Sequence, residues 1–320
     1  MLGSPDATPR KRGRRPAGRI MRAFGSHALD SITTAEVKRW PESLDRAGIS
    51  PRTINKHRQV VASVLEFAIR DGEYGVIEDP VRGTPKRREA DPRPIDTNSP
   101  EEVQALARAA RAGLHRDPSR PAISDYERLE RAWDDEQDPS IYIVAAFTGL
   151  RLRELLALRW RHVSFEDAGL RVEGAVSGGE LRSTKSRKWR AVPLADQPAA
   201  ALARLGEQGR FTGRDDLVFC SATGERIDPS ALRRRYRRTQ RAAGIRELRF
   251  HDLRHSFGTL VIREFDPATV KEFMGHAKLT TTERCLHARA RRADAARLTK
   301  AFAGVDELVR PTAPVAPKPA

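Results

Sequence analysis

One stretch constrains the fold more than any other. "DPVRGTPKRREADPRPID", Asp79 to Asp96, is rich in proline and charge and has no apolar periodicity, so it can supply neither a helix face nor a strand. It reads as an interdomain connection, with the linker proper at residues 85–97, and it divides the chain into a short body before it and a long one after it. A chain of 320 residues that is 39% apolar suits that division, because it can bury one medium core and one small one.

The first body spans residues 29–84 and reads as helical. "TTAE" from Thr33 offers a capping box with Glu36, and Pro41 after Trp40 marks a break or bend. A second helix starts with Ser50 as cap and Pro51 at its first position. It carries Ile54, Val61, Leu65 and Ala68 on one face and stops at Asp71-Gly72. Arg52, Lys56 and Arg58 near its start are candidate contacts to a phosphate backbone. Residues 1–28, with the run "PRKRGRRPAGR", are basic and aperiodic and read as a disordered tail. Residues 307–320, ending "TAPVAPKPA", read the same way.

The second body, residues 98–306, begins with another capped helix, Ser99-Pro100 with Glu102. It is mainly helical. Between Gly169 and Leu194 apolar alternation around Gly178-Gly179 predicts a small antiparallel hairpin or three-stranded sheet. The expected fold class is therefore mainly α, with a small antiparallel β-sheet in the larger domain.

Charge narrows the partner. There are 59 Lys+Arg against 43 Asp+Glu, a formal net charge of +16, which favours a polyanion and nucleic acid first. No run approaches the roughly 18 apolar residues that span a bilayer, so no membrane association is expected and the cytoplasm is the expected location. Cys220 and Cys285 are too few for a disulfide framework and lack partners at zinc-ligand spacing, so no metal or cofactor is implied.

Groups suited to one chemistry are scattered through the second body. In "FTGLRLRELLALRW" Gly149 ends one helix and Arg151 opens the next, with Glu154 one turn on, so the two can pair and aim the guanidinium. The chain holds 10 lysines against 49 arginines, yet Lys185 and Lys188 are the only lysines between Lys86 and Lys271, and both lie in the hairpin. Lysine can release a proton where arginine cannot. In "RFHDLRHSFGT" His251 and Arg254 share a helix face, whereas His255 is placed on a different face and read as structural. Asp266-Pro267 caps a helix that Gly275 ends, immediately before His276. Two arginines, two histidines and a lysine without an acidic cluster suit a pentacoordinate phosphate stabilised by cations and hydrogen bonds.

"TGLRLRELLALRW", a lysine hairpin ending "RAVPL", "HDLRHSFGT" and "MGHAKLTTTERCLH" together resemble the tyrosine recombinase, or phage integrase, family, over roughly residues 97–305. The resemblance implies a two-domain DNA clamp whose smaller core-binding domain reads as N-terminally shortened. It also implies site-specific cutting and rejoining of duplex DNA through a 3′-phosphoprotein link without metal or ATP, by a homo-tetramer on DNA at the nucleoid. Residue by residue, it implies that Arg151 and Arg254 grip the scissile phosphate and His251 assists proton transfer. Lys185 would protonate the leaving 5′ oxygen, His276 would bond a nonbridging oxygen, and Glu154 would support Arg151. The family's nucleophile is a tyrosine nine residues after the histidine of "GH"; here that position is Cys285, with His287 two beyond it. A thiol is a good nucleophile but sits much closer to the backbone than a phenol oxygen. Two readings follow: an active recombinase, or a catalytically silent DNA-binding relative of one. Outside the site, Arg233, Arg234, Arg237, Arg238 and Arg241 in "DPSALRRRYRRTQR" cover much of a helix capped by Asp228-Pro229 and are candidate DNA contacts.

Overall fold

The computed structural model describes residues 18–90, 95–117, 119, 124–177, 180–183 and 189–283, with the side chains of 174–177, 180–183 and 283 excepted. The chain forms two compact units, Met1–Arg93 and Pro94–Ala320.

In the first unit, α1 (Arg19–Phe24) is followed by a 3-10 turn, then α2 (Thr34–Arg46) and α3 (Pro51–Asp71). The capping box at Thr33 forms as its spacing predicts, with Glu36 returning to the Thr33 amide at 2.9 Å. Two expectations need correction. Helix α1 lies inside the stretch read as a disordered tail, because Ile20 and Phe24 pack on the core around Ile32, Val37, Val61 and Leu65, with Phe24 edge-on to Trp40 at 5.0 Å. And α2 runs through Pro41 without breaking; the buried ring packs inside the unit, which offsets the missing hydrogen bond.

The second unit is mainly helical. Its helices are α4 (Pro100–Arg111), α5 (Asp125–Thr148), the single turn α6 (Leu152–Leu155), α7 (Asp196–Glu207), α8 (Pro229–Ala242), α9 (Phe250–Val261), α10 (Pro267–Met274) and α11 (Leu279–Glu283). Both alternatives for the β region are realised. Strands β1 (Val163–Ser164), β2 (Gly169–Val172) and β5 (Arg190–Pro193) form an antiparallel sheet in the order β1-β2-β5, while β3 (Gly174–Ser177) and β4 (Glu180–Ser183) form a separate hairpin. Register places Leu170 opposite Val192 and Val172 opposite Arg190. Since Leu170, Val172 and Val192 are buried, the side chain at 190 shares their inward face.

The core joins α4, α5, α6, α7, α8 and the sheet through residues such as Leu106, Ile141, Leu155, Leu202, Leu232 and, from β2, Leu170, all but sealed from solvent. Tyr142, Tyr236 and Phe250 meet edge to face with centroids 5.2–6.4 Å apart, fixing the start of α9 against α5 and α8. Gly149 ends α5 at φ 63°, and a Cβ there would lie 2.4 Å from the Phe257 ring, so only glycine lets α9 approach this turn.

Candidate active site

Four backbone segments converge: the α5–α6 turn, the start of β5, α9, and the C-terminal end of α10. Arg151 is the N-cap of α6, and its amide and its Nη1 both donate to Glu154, at 2.8 Å each. The predicted pairing is thus present in capping-box form. Glu154 is 4% exposed and accepts two further bonds from Arg190, 3.1 Å from Nη1 to Oε1 and 2.7 Å from Nη2 to Oε2. Arg254 Nη1 stands 3.9 Å from Oε2. Burial alone would push the Glu154 carboxyl up, but the bonds and charge of Arg190, then of Arg151, overcome it and hold the pKa down at about 2.

The same three arginines cap three successive carbonyls at the end of α10. Arg190 Nε donates to Phe273 at 2.9 Å, Arg254 Nη2 donates to Met274, and Arg151 Nη2 donates to Gly275 at 2.8 Å. Cations there meet the negative end of the helix dipole. Arg254, 3% exposed at its side chain, also donates from Nη1 to the Gly149 carbonyl at 2.6 Å, tying α9 to the α5–α6 turn. The Arg151 side chain is 41% exposed. Three guanidinium charges against one carboxylate leave the cluster electropositive.

Two histidines complete it. His276 Nδ1 lies 2.9 Å from the hydroxyl of Thr282, which is fully buried. Burial, then the charges of Arg254 and Arg151, pushes the His276 pKa down to about 4, so the ring is neutral at pH 7. A Thr282 hydroxyl that donates to Nδ1 leaves the ring's proton on Nε2, available as a donor. His251 is lowered as well, by burial first and then by Arg254. His255 is not on a different face from His251: four residues apart on α9, the rings meet edge to face at 5.0 Å, as residues one helical turn apart do.

Of the residues singled out from sequence, Arg151, Glu154, His251, Arg254 and His276 come together here, while Lys185, Cys285 and His287 lie outside the described residues. Sequence reasoning missed Arg190 and Thr282. Arg190 had a signal: in "RAVPL" it falls in phase with Val192 and Leu194, an inward position where a charged residue needs a partner. Of the helix α8 arginines, Arg234 stands 3.9 Å from Asp228, and Arg237 and Arg241 pair with Glu247, while Arg233 and Arg238 are exposed on the same helix. In the first unit Arg52 and Lys56 are exposed, but Arg58 donates to Thr84 Oγ1 and to the Val81 and Thr84 carbonyls, bracing its own unit's loop. Among the described residues no group of three or more His, Cys, Asp or Glu is disposed to hold a metal ion, and no helix is long and apolar enough to cross a membrane.

The signature of the phage integrase family matches residues 124–292. That span covers more than half of the chain and takes in Arg151, Glu154, Arg190, His251, Arg254, His276 and Thr282. The chain belongs to the phage integrase family. Relatives include the tyrosine recombinase XerC of Chromohalobacter salexigens, 29% identical over 272 residues, which cover 83% of this chain and 79% of the relative. XerC of Chlorobaculum parvum is 28% identical over 273 residues, 81% of this chain and 75% of the relative. Among solved structures, the Tn1549 transposon integrase in complex with transposon right end DNA superposes with a TM-score of 0.63 at 20% identity, covering 89% of this chain and 91% of that one. A lambda integrase dimer bound to a COC′ core site gives 0.61 at 19% identity, covering 85% and 86%. The likeness to these solved structures establishes a shared fold.

Proposed function

We propose that this chain binds duplex DNA at a specific site and cuts and rejoins its strands through a covalent 3′-phosphoprotein intermediate, without metal or ATP. The observation that carries the reading is the convergence of three guanidinium groups on one buried carboxylate and one helix end, beside two uncharged histidines. Such an array is preorganised for charge that develops on a phosphate in its transition state. Arg151 and Arg254 hold the nonbridging oxygens, and the His276 Nε2–H donates to one of them. Residue 285 attacks phosphorus, the bond from phosphorus to the 5′ oxygen breaks, and Lys185 gives that oxygen its proton while His251 assists proton transfer from the nucleophile. In the return step a 5′ hydroxyl attacks the phosphoprotein bond and releases residue 285, so the strand is resealed with no external energy source. Strand exchange takes place in a homo-tetramer on DNA, in association with the nucleoid. Arg52 and Lys56 in the first unit and the α8 arginines in the second contact the DNA backbone.

The names of the matched relatives, recombinases and integrases, favour this reading over that of a silent DNA-binding relative. Cys285 sets the rate. Its sulfur is nearer the backbone than a tyrosyl oxygen, and near-attack geometry is demanding. The test uses a duplex selected by this protein from a random-sequence pool, nicked near the cleavage position. The Cys285→Tyr variant forms a covalent protein–DNA band on a denaturing gel, at least about tenfold faster than the unaltered chain. Binding without a band from either protein contradicts the reading.

A further inference from the structure

Arg190 lies in none of the roles above. It is the first residue of β5, on the strand's inward face, and its side chain is 14% exposed. All three of its nitrogens are engaged, Nε with the Phe273 carbonyl and the two terminal nitrogens with the two Glu154 oxygens. Nothing in that arrangement reaches out to a phosphate. We propose that Arg190 is a positioning residue: with one terminal nitrogen on each Glu154 oxygen it completes the set that Arg151 begins and so keeps Arg254 from collapsing onto that carboxylate. The proposal rests on the phosphate-binding part of the recombinase reading and deepens it.

A carboxylate offers about four lone-pair sites. Glu154 fills them with the Arg151 amide, Arg151 Nη1 and the two terminal nitrogens of Arg190. The next donor, Arg254 Nη1, stands at 3.9 Å, outside hydrogen-bond range, and donates instead to Gly149. If Arg190 is withdrawn, a sealed carboxylate loses two bonds, and such a group recruits the nearest donor because leaving it unsatisfied is costly. That donor is Arg254. Moving it toward Glu154 draws it off Gly149 and Met274, the two carbonyls that set its direction.

The end of α10 gives Arg190 a second hold on the same frame. The carbonyls of Phe273, Met274 and Gly275 are taken in order by Arg190, Arg254 and Arg151, and His276 follows directly. Arg190 is therefore one of three pins that hold the end of α10, and the histidine after it, at a fixed height. The packing here is close: a Cβ at Gly275, already at φ 61°, would stand 3.0 Å from Arg190 Nη1 and 3.1 Å from its Cδ and Cζ. The glycine admits both the turn and the guanidinium.

The test separates positioning from charge and from the recombinase reading. Binding of inorganic phosphate is followed by 31P NMR in the unaltered chain, in Arg190→Lys, in Arg190→Met and in Arg190→Met/Glu154→Gln, with circular dichroism as a check on folding. Covalent complex on the nicked duplex is measured in the same set in a Cys285→Tyr background. Both Arg190→Met and Arg190→Lys weaken phosphate binding by about tenfold, since lysine restores the charge but not the fork that covers two oxygens. The double variant recovers most of the loss, because the carboxylate that would recruit Arg254 is gone. Phosphate affinity in Arg190→Lys equal to that of the unaltered chain overturns the proposal, as does a double variant no tighter than Arg190→Met. A phosphate series that follows the expected order while no variant forms covalent complex contradicts strand cleavage and supports the role of Arg190.

Discussion

Glu154 and the two histidines below pH 7 show how single residues tie this site to solution conditions. Glu154, held at about 2 by Arg190 and Arg151 against its burial, contributes stability above the ordinary carboxylate pKa that is lost as pH falls from there toward 2. His276 and His255 are both pushed down to about 4, in each case by burial first, followed by Arg254 for His276 and by His251 for His255. Between pH 6.5 and 4 the unfolded chain binds more protons at these positions than the folded one, so stability falls as pH drops through that window. An acid titration followed by tryptophan fluorescence will show this loss, and His255→Gln will flatten it between pH 6.5 and 4. Thr282 Oγ1 is the hydrogen-bond partner of His276 Nδ1, so Thr282→Val, nearly equal in shape, is expected to slow covalent-complex formation by about tenfold or more while leaving duplex affinity within about threefold. Much of the site was legible at this scale. Arg151, Glu154, His251, Arg254 and His276 follow from helix starts, helix ends and one-turn spacing. Arg190 and Thr282 were less accessible because their importance comes from partners remote in sequence, at Phe273 and Glu154 in one case and across the α10–α11 turn in the other.

Among the elements, α8, which bears the exposed arginines, is joined to α5 through Arg235. Arg235 donates from Nε to Asp138 at 2.7 Å and from Nη2 at 2.9 Å, and its Nη2 lies 3.1 Å from Asp134. Two carboxylates share one cation. Burial pushes Asp134 up to about 7, and the charge of Asp138 adds to that against the opposing pull of Arg235. The sign is opposite to that of Glu154. Asp134 binds more protons folded than unfolded between pH 3.8 and 7, so stability declines as pH rises across that range. Because the histidines act with the opposite sign over part of this range, the test is a difference: the change in melting temperature from pH 5.5 to pH 8 is expected to be more positive in Asp134→Asn than in the unaltered chain. Asp138→Asn, at a fully sealed position, is expected to destabilise by about 3–5 kcal/mol at either pH. The helix caps at Thr33, Ser99, Asp228 and Asp266 all form where the sequence placed them, because a cap is decided by neighbours three residues away. Pro41 and α1 departed from expectation for one reason: burial against a core that no local rule can see.

On the scale of the whole molecule, division into two units and a mainly helical second unit with a small sheet were readable from the proline-rich run and the glycine-centred alternation. The formal charge of +16 makes DNA affinity strongly salt dependent. Replacing Arg233 and Arg238 together by glutamine should lower the slope of log affinity against log salt by roughly 1.8, about 0.9 for each phosphate no longer neutralised, as read by fluorescence anisotropy across a salt series. The central claim concerns the arginine cluster itself. Its most direct test is the single-turnover rate of covalent-complex formation on the nicked, selected duplex by the Cys285→Tyr protein with and without Arg254→Ala. The account predicts a fall on the order of 100-fold or more in rate with duplex affinity changed by less than about threefold; an unchanged rate in folded Arg254→Ala protein would contradict it.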